Sequence, residues 1–424
     1  MSQPSLNQWQ GCLAGVLVGD CFGFPYEDLP RKKTFPNTIE FIQDDLEKIK
    51  IGEMIPYDRG IKKPGNPSSP DGKPLPSWMS SSGSSSGGAS NSGLRQYTDD
   101  TSMTITFAKF LIDSNNSLDY VNLARRFSAE YELDKPKMRG YGPGVKRLLT
   151  KFQEVNFKDV FQYALETFDG QGSLGNGCGM RISPVALYTI NDPTLERLVD
   201  ITIDSCLLTH THPQGIFGGI FQALAVRQAL LFGGRRKEKP SAIEFLNTFE
   251  TEFKSILTNG ATSRRTATYR TGYQIYQDKI NVIRRFLEGG PSSWDLKKVI
   301  DELGNEVLSP KSIPTALFCF LASFQEIDFI NTDNHFQRAI TLAFTLGGDT
   351  DTIGGMTGAI CGAYVGLDGF PQKFVASCEA SGKILNVAEK LYGKCMTQIL
   401  LNIRPVFNSS GFSVENPGNE LHPG

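Results

Sequence analysis

Two ladders of glycine limit what this chain can fold into more than any other feature. Gly11, Gly15, Gly19 and Gly23 lie four apart near the N-terminus, and Gly354, Gly358, Gly362 and Gly366 repeat the interval far downstream. Such a spacing aligns the glycines of each ladder on one helix face. Each glycine makes a helix about 1 kcal/mol less stable than alanine would, so eight of them are a loss that only close packing can offset. The membrane form of the small-xxx-small pattern is the competing reading. It fails on length, because Asp20 interrupts the first apolar run and Asp351 and Asp368 bracket the second, whereas a span needs about 20 apolar residues. The expectation is two glycine-striped helices buried at the centre of the protein.

Elsewhere the apolar residues also recur at helical spacing. In DNHFQRAITLAFTLGG, Phe336, Ile340, Ala343, Phe344 and Leu346 share a face, and Gly347 supplies the stop. DLKKVIDELGNEV and NVIRRFLEGG read the same way, and SIPTALFCFLASF reads as a buried helix entered at Pro314. Period-two alternation is scarce, so the predicted fold is all-α. One domain is expected over residues 6–403, with a flexible Pro/Ser/Gly insertion at about 64–93, a loop at 233–241 and a disordered tail at 404–424.

The chain has 424 residues, 39% of them hydrophobic, enough for a sizeable core. With 43 Lys+Arg against 45 Asp+Glu, its formal net charge of -2 creates no global field toward nucleic acid or an anionic membrane. An anionic ligand must therefore be held by a local site. The eight cysteines lack CxxC spacing and read as reduced, buried thiols, and MSQPSLNQWQ has neither signal-peptide nor Arg-rich transit character. A monomer in the cytoplasm and nucleus is expected, with the mitochondrial matrix also open.

Alone, Asp349 and Asp351 would be read as N-caps of the helix that follows them. A second stretch, YTDDTSMTITFAKFL, repeats the chemistry, with Thr98, Asp99 and Asp100 opening a helix. Two helix starts with paired carboxylates suggest a shared cation, since four like charges otherwise repel one another. An all-oxygen ligand set suits Mg²⁺, Mn²⁺ or Ca²⁺ rather than zinc, and four carboxylates can neutralise two such ions. The expected architecture is a compact set of orthogonally packed helices around a central binuclear metal cleft.

Two glycine-dense loops could hold a phosphate. In RGYGPGVKRLL, Gly140, Gly142 and Gly144 precede an apolar helix bearing Lys146 and Arg147, whose start offers free N–H groups. In FDGQGSLGNGCGMR, Ser173, Asn176 and exposed amides could contact phosphate or ribose hydroxyls. His210 and His212 lie in LLTHTHPQG, where a structural hydrogen-bonding role is the ordinary one.

GCLAGVLVGDCFGFPYE, YTDDTSM, RGYGPGV, GSLGNGCGMR, LTHTH and LGGDTDTIGGMTGAI, in this order over most of the chain, resemble the ADP-ribosylglycohydrolase family. Within it the sequence is most similar to the branch acting on ADP-ribosylserine, poly(ADP-ribose) and O-acetyl-ADP-ribose. The resemblance implies an all-α glycosidase with two Mg²⁺ (Mn²⁺ as a substitute), whose partners are ADP-ribose-containing substrates and ADP-ribosylated proteins. It implies metal ligands at Thr98, Asp99, Asp100, Asp349, Asp351 and Thr352, and a mobile acid at Glu27. Gly140 to Gly144 and Gly172 to Asn176, with Ser173 and Gly175, would wrap the diphosphate. Phe168 would stack on adenine, and Leu174 stands where the branch has a second aromatic. His210 would lie near the distal ribose. Catalysis would fall to Glu27, Asp99, Asp349 and Asp351, with Asp349 positioning water. A sister branch acting on ADP-ribosylarginine and a non-catalytic, crystallin-like relative are the alternatives.

Overall fold

The computed structural model describes residues 3–27, 35–50, 94–115, 117–233, 240–371 and 373–403. The expected insertion at 64–93, the tail at 404–424 and most of the 233–241 loop lie outside them. The described residues form eighteen α-helices and no strand, with three isolated β-bridges, so the fold is all-α.

The two glycine ladders pack on each other. One lies on the helix Leu6–Gly23, entered through a capping box between Ser5 and Gln8, and the other on the helix Thr350–Val365. Gly11 faces Gly362, Gly15 faces Gly358, Gly19 faces Gly354 and Gly23 faces Thr350, so the pair runs antiparallel. A Cβ on Gly15 would lie 1.9 Å from the Gly358 carbonyl oxygen, and one on Gly19 would lie 2.0 Å from that of Gly354. No side chain fits between these backbones. Intrinsic helix stability is given up here for contact along the whole length of both helices.

A third apolar helix, Pro213–Gly233, completes the centre. It is long and apolar enough to cross a membrane, yet most of it is buried within the protein. Its Gln222 amide donates to the Met356 carbonyl at 3.1 Å, and Gln8 donates to Leu230 O at 2.9 Å and Ala363 O at 3.1 Å, tying the three helices together. One apolar cluster extends from Trp9 to Cys395 around them.

The other predicted helices are present. His335–Thr345 is capped by Asn334 and stops before Gly347 at φ +69. Leu296–Leu303 is capped by Asp295, Gln274–Gly289 ends at Gly290 with φ +73, and Ile313–Ala322 carries Pro314 in its first turn. All eight cysteines are buried and free.

Candidate active site

The downstream helix start is shaped by Gly347 and Gly348, both in the left-handed region, with φ +69 and +76. A Cβ on Gly348 would lie 1.9 Å from the Asn305 carbonyl oxygen, which accepts the Asp349 N–H at 2.9 Å. The Thr350 hydroxyl donates to Gly23 O at 2.8 Å, fastening this start to the end of the first ladder helix. Asp349 occupies the N-cap position, but its side chain makes no capping bond. Its Oδ2 instead accepts from the Asn176 amide at 2.5 Å, while Asp351 Oδ1 accepts the Thr352 N–H at 2.6 Å.

The upstream start opens the helix Asp99–Asp113, and here Thr98 is a true cap, accepting the Asp100 N–H at 3.3 Å. A buried aspartate of the first ladder helix holds this turn in place. Asp20 accepts the Thr98 N–H at 2.9 and 3.0 Å, the Thr101 N–H at 3.1 Å and the Thr101 hydroxyl at 2.6 Å. Arg139 fixes it from the other side. Its carbonyl accepts the Asp99 N–H at 2.7 Å, its guanidinium donates to Tyr97 O at 2.7 Å, and a two-pronged bridge at 2.8 Å joins it to Glu379.

The ladder helix therefore carries both helix starts, one at Gly23 and the other at Asp20, and turns their carboxylates toward each other. Burial pushes the Asp99 and Asp100 carboxyls well above the usual range, and the Asp351 and Asp20 charges add to it. Asp349 is raised by burial and then by Asp351, and Asp351 by burial and then by Asp20. Burial also lifts Asp20, but its hydrogen bonds from Thr101 and Thr98 oppose this and leave it at about 6. Ligand oxygens of Glu27, Asp349 and Asp351 lie within 4.8 Å of one another. Among the described residues, the buried Oδ2 of Asp100 has no hydrogen-bond partner. Crowded, all-oxygen carboxylates with an unpartnered buried acceptor fit a hard cation, so this acidic cluster could bind a metal ion.

The glycine loops border the same place. Gly140, at φ +88, has Asp99 Oδ1 3.4 Å from its Cβ position. Gly142 caps the helix Pro143–Glu154, so Gly144 lies inside the first turn rather than ahead of it. The Phe168 ring stands 3.7 Å from the Cβ position of Gly144, on a backbone at φ +54. Gly172, at φ +72, lies against Thr211, and the His210 ring covers Gly175 and Gly177. Ser173 Oγ accepts the Gly175 N–H at 3.2 Å, and Leu174 O accepts the Ser309 N–H at 3.0 Å. Asn176 is buried, with its amide committed to Asp349 Oδ2 and to Ser312 Oγ at 3.1 Å, so it faces the carboxylates. His210 is buried as well, and burial, then the Arg181 charge, lowers it to about 3.

Several residues that build the site carry no sequence signal as site residues. Asp20 reads only as an interruption of an apolar run, although an acid on the face of a buried helix needs a partner and could have been flagged. Arg139 precedes a glycine motif like any surface cation. Asn305, Ser309 and Ser312 brace Asp349, Leu174 and Asn176 from a segment with no motif.

A family model described as ADP-ribosylglycohydrolase matches residues 1–399. The chain is 30% identical over 395 residues to the ADP-ribosylhydrolase ARH3 of Gallus gallus, covering 92% of this chain and 94% of that one. It is 31% identical over 390 residues to ADP-ribosylhydrolase ARH3 of Bos taurus, covering 92% and 93%. A solved structure described as an ADP-ribosylglycohydrolase-related protein complex shares the fold with a TM-score of 0.53 at 20% identity, over 92% of this chain and 99% of that one. Fold, site and relatives together define a hydrolase that acts on glycosidic bonds. The chain belongs to the ADP-ribosylglycohydrolase family.

Proposed function

We propose that this protein is a Mg²⁺-dependent hydrolase that cleaves the O-glycosidic bond of ADP-ribose on serine-modified proteins, in poly(ADP-ribose) and in O-acetyl-ADP-ribose, releasing ADP-ribose. The observation that carries the reading is the convergence of Asp99 and Asp100 with Asp349 and Asp351, imposed by one ladder helix and leaving Asp100 Oδ2 without a partner among the described residues. Similarity to ADP-ribosylhydrolase ARH3 supports the substrate class.

Thr98, Asp99, Asp100, Asp349, Asp351 and Thr352 would hold two Mg²⁺ ions, which supply charge neutralisation and bring the pKa of a water toward neutrality. Cleavage builds positive charge on the anomeric carbon, which nearby carboxylates favour. Asp349, steadied by Asn176, orients the attacking water and accepts its proton. Glu27, hydrogen-bonded to Asp351, gates the site or serves the leaving oxygen. The amides of Gly140 to Gly144 and the helix start they open take the diphosphate, adenine lies on Phe168 with Leu174 at its rim, and His210 meets the distal ribose.

The test is release of ADP-ribose from serine-linked and arginine-linked peptides, with Mg²⁺ or with chelator. Release from the serine-linked peptide that stops in chelator is expected. Release from the arginine-linked peptide alone would assign the sister activity, and ADP-ribose binding without release from either would make the protein a non-catalytic relative. Asp351→Asn should retain ADP-ribose binding and lose at least about a hundredfold in turnover, as expected when a metal carboxylate is neutralised.

A further inference from the structure

Arg181 is buried to 1% exposure, yet among the described residues it has no carboxylate within ion-pairing distance. Its guanidinium donates to Thr209 Oγ1 at 2.6 Å and Ser205 O at 3.3 Å, approaches Met103 Sδ at 3.9 Å and lies 5.1 Å from the centre of the Phe127 ring. Burying a guanidinium against neutral groups is costly, and an apolar side chain would fill the space more cheaply. The same Thr209 oxygen lies 2.7 Å from Nδ1 of His210. Thr209 is 2% exposed, and these two groups are its hydroxyl's partners.

We infer that Arg181 is a positioning residue that acts through Thr209 to hold His210 as the tautomer with its proton on Nε2. A guanidinium can only donate, so it takes a lone pair of Thr209 and leaves the threonine proton one acceptor, Nδ1 of His210. A neutral imidazole that accepts at Nδ1 carries its hydrogen on Nε2. That ring edge faces the glycine loop, with Nε2 3.4 Å from the Cβ position of Gly175 and 2.7 Å from that of Gly177. The relay thus presents a fixed donor at the loop assigned to the sugar and diphosphate, and to this extent it rests on the reading proposed above. Burial and the Arg181 charge keep the ring neutral, which the assignment requires.

Arg181 also caps the last turn of the helix Glu196–Cys206 through Ser205 O, and a purely structural role would change stability without touching the tautomer. Two-bond ¹H–¹⁵N spectra of the full chain read the tautomer directly. The four histidines make assignment tractable, with His210→Asn identifying the signal. The wild type should show the Nε2–H pattern alone. Thr209→Val, which keeps side-chain shape, should bring in the Nδ1–H form and weaken ADP-ribose binding at least fivefold by calorimetry, while Thr209→Ser restores both. Arg181→Met should act in the same direction, and Thr209→Val carries the test if that variant does not fold. An Nδ1–H pattern in the wild type, an unchanged tautomer in Thr209→Val, or an altered tautomer with undiminished ADP-ribose affinity would each overturn the inference. Because the spectra need no turnover, an inactive wild type that keeps the Nε2–H pattern and the loss of affinity would count against the proposed reaction and leave the relay supported.

Discussion

At the scale of single residues, the site depends on side chains whose importance comes from what they fasten. Asp20 is the clearest, because its carboxylate receives three donors of the Thr98–Thr101 turn. Asp20→Asn keeps the size and removes the charge, leaving a buried NH₂ opposed to N–H donors. A loss of about 2–4 kcal/mol in urea unfolding is expected, with Mg²⁺ affinity at least tenfold weaker by calorimetry. Unchanged Mg²⁺ affinity would show that Asp20 does not set the carboxylate geometry. The acids of TDD and GGDTD were legible because they repeat at two helix starts. Asp20, Arg139 and Arg181 were not, because a buried charge is recognised by its partners, which lie 78, 240 and 28 positions away in sequence.

At the scale of elements, the ladders were readable as packing devices, while their pairing with each other was not. Spacing reveals which face of a helix is smooth and says nothing of which partner lies against it. The pairing makes a sharp prediction. Gly15→Ala places a methyl 1.9 Å from Gly358 O and should cost more than about 3 kcal/mol or abolish soluble expression. Gly393→Ala, in the helix Ser381–Ile403 where no described atom beyond the local helix backbone lies within 4 Å of its Cβ position, should stabilise by about 0.5–1 kcal/mol. Thermal melts of the two variants separate a general helix effect from the backbone contact. Equal effects would mean that the ladder is not clamped.

At the scale of the whole molecule, a carboxylate cluster at the centre couples stability to metal and pH. Carboxyls held above their usual range bind protons more readily when folded, so in metal-free protein they favour the folded state at low pH, and that stability is lost as pH rises. Metal requires the ionised form and reverses the trend. The rise in melting temperature on adding Mg²⁺ should therefore be larger at pH 8 than at pH 5.5, and an equal rise at both would count against these carboxylates as ligands. His210 has the opposite sign. Its folded value of about 3 lies below the ordinary 6.5, so the stability it gives is complete above pH 6.5 and declines as pH falls toward 3. In chemical denaturation, His210→Asn should lose less stability than the wild type between pH 6.5 and 4.

The sequence by itself determined the helical class, the buried striped helices, the two acidic helix starts and the glycine loops, because periodicity, caps and ligand chemistry are local properties. Only the tertiary structure decided that the ladders face each other in antiparallel register, that Asp20 and Gly23 hang both helix starts from one helix, and that Asn176 turns inward to Asp349. Those contacts join residues as far apart in sequence as Gly11 and Gly362. A chain's local pattern sets which surfaces must be covered and which charges must be matched, and the fold alone settles what covers and matches them.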